Sequence, residues 1–172
     1  FHPFMMEDPT RHENPQAMAQ LRAQTTLPLA QGERYHSKWE FRELVVGGYV
    51  NYLRPDICHC GGITEIKKIA ALAETYLVNL IPHNNAGALG SAASVHAALA
   101  ISNIALLEGG GLAGSRQTDV VGPYPPVVDG YALPPQGPGL GIQFDEQLAE
   151  REPLAFGLQP RLKALDGSVR DF

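Results

Sequence analysis

Cysteine is scarce in this sequence. Only Cys58 and Cys60 are present, one residue apart, too close for an ordinary disulfide and too few for a disulfide-braced secreted scaffold. The pair points to a reducing compartment such as the cytoplasm. No apolar run approaches the roughly 18 residues needed to cross a bilayer, and no basic segment leads into an apolar one at the N-terminus, which argues against an export signal. Basic residues are in the minority. Lys and Arg number 13 against 18 Asp and Glu, a net charge of -5, without a block of like charges. That balance disfavours a nucleic-acid groove or an anionic membrane surface as partner. No GxGxxG or GxxxxGK[ST] turn follows any apolar run, so the sequence carries no nucleotide phosphate loop. Gly109, Gly110 and Gly111 follow an apolar run without a Lys or a helical pattern after them, and read as a flexible loop.

What is present is a soluble, globular composition, 44% hydrophobic and 18% charged over 172 residues, enough for one packed domain. Short apolar runs alternate with longer amphipathic segments. The predicted strands are residues 3–6, 27–30, 50–53, 78–81 and 104–107, each short and apolar or β-branched, as buried parallel strands are. Helices are predicted between them. Asn14 and Pro15 supply a cap and a first helical residue before Met18 and Leu21. Ser37 and Glu40 have capping-box spacing ahead of Phe41, Leu44 and Val45. Ile66, Ile69, Ala70, Ala73 and Leu77 form one helical face, and Ala92, Val95, His96 and Leu99 another. His96 reads as a core histidine. Strand and helix in alternation imply a parallel sheet with helical crossovers.

An ionisable residue stands at the end of each predicted strand: Glu7, Glu33, Asp56, His83 and Glu108, spaced by roughly 25 residues. Polar groups at the C-terminal mouths of successive strands are how a (β/α)8 barrel assembles an active site. Glu7 and Glu33 are hard oxygen donors suited to Mg2+, with Asp8 leaving open which acid of its pair faces inward. Asp56 and His83 come from adjacent strands. Such a pair orients an imidazole and raises its basicity for general-base work. Glu108, if protonated, would donate to charge developing on a substrate carboxylate. A divalent cation beside a His-Asp base suits abstraction of a proton α to a carboxylate.

The runs Phe4-Met5-Met6-Glu7-Asp8-Pro9, Gln31-Gly32-Glu33-Arg34, Arg54-Pro55-Asp56, Gly61-Gly62-Ile63-Thr64-Glu65, Pro82-His83-Asn84 and Leu106-Leu107-Glu108, in that order, resemble the barrel motifs of the mandelate racemase branch of the enolase superfamily. Within it the acid-sugar dehydratases are most similar. The resemblance extends to Gly137-Pro138-Gly139-Leu140-Gly141 and Phe144-Asp145-Glu146. It implies a partial (β/α)8 barrel, about the last five βα units in residues 1–110, followed by an irregular Pro- and Gly-rich segment, 111–172, with one short helix near Glu146. More than half of the 14 prolines lie in that segment.

The same resemblance implies Mg2+ at Glu7 and Glu33, His83 as base with Asp56, and Glu108 stabilising an enediolate. Arg34, His36 and His59 would line the substrate pocket. The substrate would be a small sugar acid, and the full-length protein a homo-oligomer. Starting at Phe1, the chain reads as a cut: a lid domain, about three barrel units, the first metal ligand and the general acid would lie outside it. Racemisation or epimerisation on the same scaffold, and a non-catalytic remnant that only binds the acid, remain open.

Overall fold

The structure is a computed structural model, and it describes residues 1–109, 120–151 and 163–168. Its centre is a four-stranded parallel sheet in the order β1 (Met6–Glu7), β2 (Leu29–Gln31), β3 (Tyr52–Leu53) and β4 (Asn79–Leu80). Neighbours in sequence are neighbours in space. The register pairs Glu7 with Ala30, Gln31 with Leu53 and Leu53 with Leu80. A fifth parallel partner follows, where Ile104 bridges Leu80 and the Ala105 N–H donates to the Leu80 carbonyl at 2.9 Å. The crossovers are α1 (Pro15–Arg22), α2 (Lys38–Val46), α3 (Gly62–Glu74) and α4 (Gly87–Leu99). This is a partial β/α barrel.

The helices bury the faces that their apolar spacing predicts, with three exceptions. Met18 from α1, Phe41, Leu44 and Val45 from α2, and Ile66, Ile69, Ala70 and Ala73 from α3 pack against Leu29, Leu53 and Leu80 of the strands. Leu77 is exposed instead. The helix stops at Glu74, and Leu77 sits at φ 58° in the turn to β4, closed by the Val78 N–H on the Ala73 carbonyl at 3.0 Å. Leu99, the last residue of α4, is likewise exposed. His96 is half-buried, and its Nε2 is buried without a hydrogen-bond partner.

Neither predicted side-chain cap forms. Asn14 and Ser37 precede their helices without capping bonds, and Glu40 reaches past Ser37 to accept from the His36 N–H at 2.8 Å. The strands are shorter than the apolar runs and begin a residue or more later, because hydrogen bonding, not apolarity, limits them. Glu7 therefore ends β1 rather than following it.

Beyond the barrel units, residues 120–151 hold β5 (Val121–Gly122), β6 (Val127–Val128), β7 (Tyr131–Ala132), β8 (Gln143–Phe144) and α5 (Glu146–Arg151). β5 pairs with β8 and β6 with β7, both antiparallel. The short helix falls where it was predicted, but the strands were not. Asp129 and Gly130, at φ 51° and 82°, make the two-residue turn that an Asp-Gly pair between β-branched and aromatic residues signals. Gly110 and Gly111 of the predicted glycine loop lie outside the described residues.

Candidate active site

The parallel strands deliver their C-terminal ends to one rim. Gly32 carries the chain from β2 to Glu33 at φ 144°, and a Cβ there would lie 2.6 Å from the Phe41 ring and 3.1 Å from the Arg54 backbone nitrogen. Only glycine permits that approach. Glu33 then faces the same cavity, of about 530 Å³, as Glu7, Asp8, Thr10, His12 and Arg34.

Asp56 and His83 meet as their strand positions predict. The His83 Nδ1 lies 2.7 Å from the Asp56 Oδ2, and Asp56 is 1% exposed. Its other oxygen accepts the Cys58 N–H at 2.6 Å and the His59 N–H at 3.2 Å. The turn after β3 thus wraps backbone donors around the carboxylate. A carboxylate accepting at Nδ1 fixes the imidazole proton there and leaves Nε2 with the lone pair. Nε2 points at the Glu33 Oε2, 3.4 Å away, and His83 opens onto a second cavity of about 640 Å³ with Glu33, Arg34, His36 and His59.

The three predicted pocket residues all border that cavity, on its outer side. Arg34 Nε is 3.6 Å from the Glu33 Oε1, the His59 Nδ1 lies 3.0 Å from the Glu33 carbonyl oxygen, and His36 pairs with Glu40 at 3.7 Å. His36 and His59 rings stand 6.4 Å apart.

Two residues that the sequence reading missed organise the inner side. Arg54, 3% exposed, places Nε 2.6 Å from the Glu7 Oε1 and Nη2 2.7 Å from the Glu108 Oε2, and donates from Nη1 to the Ile81 carbonyl at 3.1 Å. Glu7, Arg54 and Glu108 come from alternate strands, the pattern by which barrel interiors fill in layers. Buried Asn84 supports the same acid, with its N–H 3.0 Å from the Glu108 Oε2 and its Nδ2 3.0 Å from the Glu108 carbonyl. A basic residue directly after the apolar pair Tyr52–Leu53 was the available signal for Arg54.

This arrangement revises the protonated form considered for Glu108. Burial pushes its carboxyl up, but the Asn84 N–H and the Arg54 guanidinium outweigh burial and hold it below the ordinary 4.5. It is a carboxylate acceptor. Asp8 behaves oppositely: burial and the neighbouring Glu33 raise it from 3.8 to about 6. Its Oδ1 is buried without a hydrogen-bond partner, as are the Thr10 Oγ1 and the Gln31 Oε1. The thiols are held protonated. Burial and Asp56 push Cys60 up to about 12 and raise Cys58, so neither is an activated nucleophile.

Comparison with known proteins identifies the family. Residues 1–148 match the family model described as Enolase C-terminal domain-like. The chain belongs to that family. It is 37% identical to a D-galactonate dehydratase of Ralstonia pickettii, over 100% of this chain and 47% of the relative. It is 36% identical to a D-mannonate dehydratase of Sphingomonas sp., over 87% of this chain and 37% of the relative. The crystal structure of an enolase from Agrobacterium radiobacter with bound Na and L-malate superposes with a TM-score of 0.86 at 34% identity, covering 97% of this chain and 46% of that one. The chain spans less than half the length of the curated relatives it matches.

Glu7 and Glu33 suit a hard divalent cation by donor type and by facing one cavity. The orphaned Asp8 oxygen adds a third acceptor beside them. Among the described residues, no group of three or more His, Cys, Asp or Glu side chains is arranged to hold a metal ion. Among the described residues, no helix is long and apolar enough to cross a membrane.

Proposed function

We propose that the full protein is a Mg2+-dependent dehydratase of sugar acids, and that this chain supplies its base, two of its metal ligands and the acceptor that anchors the inner wall. The observation that carries this reading is the buried Asp56 on His83 Nδ1 at 2.7 Å, with Nε2 turned toward the Glu33 Oε2 at 3.4 Å. Asp56 locks the ring, so the basic nitrogen faces the cavity before any substrate arrives. His83 Nε2 takes the proton from the carbon α to the substrate carboxylate, and Asp56 then stabilises the imidazolium that forms. Glu7 and Glu33 would hold the cation, which when bound offsets the charge of the enediolate. The electron pair left at the α-carbon expels the β-hydroxyl, which leaves as water with one further proton. The enol that remains tautomerises to a 2-keto-3-deoxy acid.

Arg34, His36 and His59 line the outer cavity and offer donors to the hydroxyls of a polyol chain. The relatives' names divide between galactonate and mannonate; in this reading, donors of this wall choose between such acids.

The test is a panel of aldonates, galactonate, mannonate and gluconate included, offered to the full-length protein with Mg2+ in deuterated water. A ketone-reactive product carrying deuterium at C3, the former β-carbon where the enol takes up a solvent hydron, is expected for at least one acid. Deuterium incorporation with an epimer and no keto acid would replace dehydration by epimerisation. Absence of both keto acid and deuterium incorporation with every acid would refute the catalytic reading.

A further inference from the structure

Proton abstraction by His83 leaves the clasp around Arg54 without a purpose. All three guanidinium nitrogens are engaged, in a site where the residue is 3% exposed. The two carboxylate contacts are unlike each other. Nη2 makes a hydrogen bond to the Glu108 Oε2 at 2.7 Å, and the Asn84 N–H reinforces the same oxygen. Nε is as close to Glu7, 2.6 Å, yet has no hydrogen-bond partner. The N–H is not aligned on that carboxylate. Glu108 is locked by directed bonds, whereas Glu7 is held by charge alone and remains free to turn its oxygens.

We infer that Arg54 is a positioning residue that sets the strength with which Glu7 binds a divalent cation, and that Glu108 sets how much of the Arg54 charge Glu7 feels. The inference rests on the reading of Glu7 as a metal ligand. A guanidinium in contact with a carboxylate competes with any second cation for it, and the buried Arg54 presents its charge to a Glu7 that is still 39% exposed and open to a cation. Glu108 takes the aligned hydrogen bond of the guanidinium, leaving Glu7 a close but unaligned contact. The three side chains thus form a balance across alternate strands, with Arg54 between two acids. Too strong a hold on Glu7 would weaken the metal site, and none would leave two acids and a third at Glu33 to repel one another.

The experiment is titration of the full-length protein, free of substrate, with Mn2+ alone, read by the paramagnetic signal of the unbound ion. Arg54→Met is expected to tighten Mn2+ binding by about tenfold or more, because a buried positive charge leaves the site. Glu108→Gln is expected to weaken it, because Arg54 then turns wholly to Glu7. In the Arg54→Met background the effect of Glu108→Gln shrinks, whereas a direct effect of the Glu108 charge would persist there undiminished. A mere brace predicts the reverse for Arg54→Met, since Glu7 would drift and affinity fall. Unchanged or weaker binding in Arg54→Met overturns the inference, as does an undiminished Glu108 effect in the double variant.

If Arg54→Met does not fold, Arg54→Lys keeps the charge but loses the fork that reaches both acids. Glu108→Gln should then weaken binding less on the Lys background than on the parent, and an equal effect overturns the inference. A parent protein with no Mn2+ affinity overturns the ligand assignment of Glu7 and Glu33 itself, a failure distinct from that of the clasp.

Discussion

Asp56→Asn replaces one oxygen by nitrogen in a side chain that is 1% exposed, and the structure says what each half of the new amide meets. Its carbonyl oxygen can take the place of Oδ1, still accepting the Cys58 and His59 N–H groups at 2.6 and 3.2 Å. The NH2 then faces His83 Nδ1 across 2.7 Å. Two donors cannot share that contact, so the imidazole must present a lone pair at Nδ1 and carry its proton on Nε2, the nitrogen that has to be free. The wrong tautomer of a general base in another enzyme class costs about 10⁴ in rate, or about 5 kcal/mol at 1.36 kcal/mol per tenfold. We expect α-proton exchange by the full-length protein to fall by roughly 10³ to 10⁴. Mn2+ affinity should be retained, because Asp56 touches neither Glu7 nor Glu33. Exchange is followed by proton NMR in deuterated water, and the tautomer by nitrogen chemical shifts of His83. An exchange rate within about threefold of the parent, or an unchanged tautomer, would refute the role given to this pair.

Two further variants test the support of the site. Asp8 is raised from 3.8 to about 6, so the folded protein binds this proton more tightly than the unfolded chain does. Its contribution to stability is present below pH 4 and lost as pH rises from about 4 to about 6. Asp8→Asn, melted with chelator present, should differ progressively from the parent across that window and be the more stable protein at pH 7; a constant difference would discard the explanation. Phe41→Ala removes a fully buried ring that lies edge-on to Tyr35 at 5.3 Å and against Gly32. It should cost about 3–5 kcal/mol in urea unfolding, and a cost under about 1 kcal/mol would show that the crossing of Gly32 over α2 does not depend on that packing.

The order of elements was legible because it is a local property. An apolar face recurring every three or four residues announces α2 and α3 wherever they pack, and Phe41, Leu44, Ile66 and Ile69 are all buried. Asp56 and His83 were legible for a related reason. Parallel strands of similar length bring residues at equivalent ends to one rim, so spacing along the chain becomes proximity across it. The small antiparallel sheets of residues 120–151 were missed. Two-residue strands have too short a period to register among so many prolines, although Asp129-Gly130 carried the turn.

What no local pattern contains is the state of each charge. The sequence by itself determined that Glu7, Asp56, His83 and Glu108 stand at strand mouths. Only the tertiary structure decided that Arg54 is buried between Glu7 and Glu108, that Glu108 is thereby a carboxylate and not a donor, and that Asp8 leans the other way. Ionisation depends on the water removed and the charges brought close by distant segments. Those are sums over the whole packed site, and no stretch of chain holds them alone.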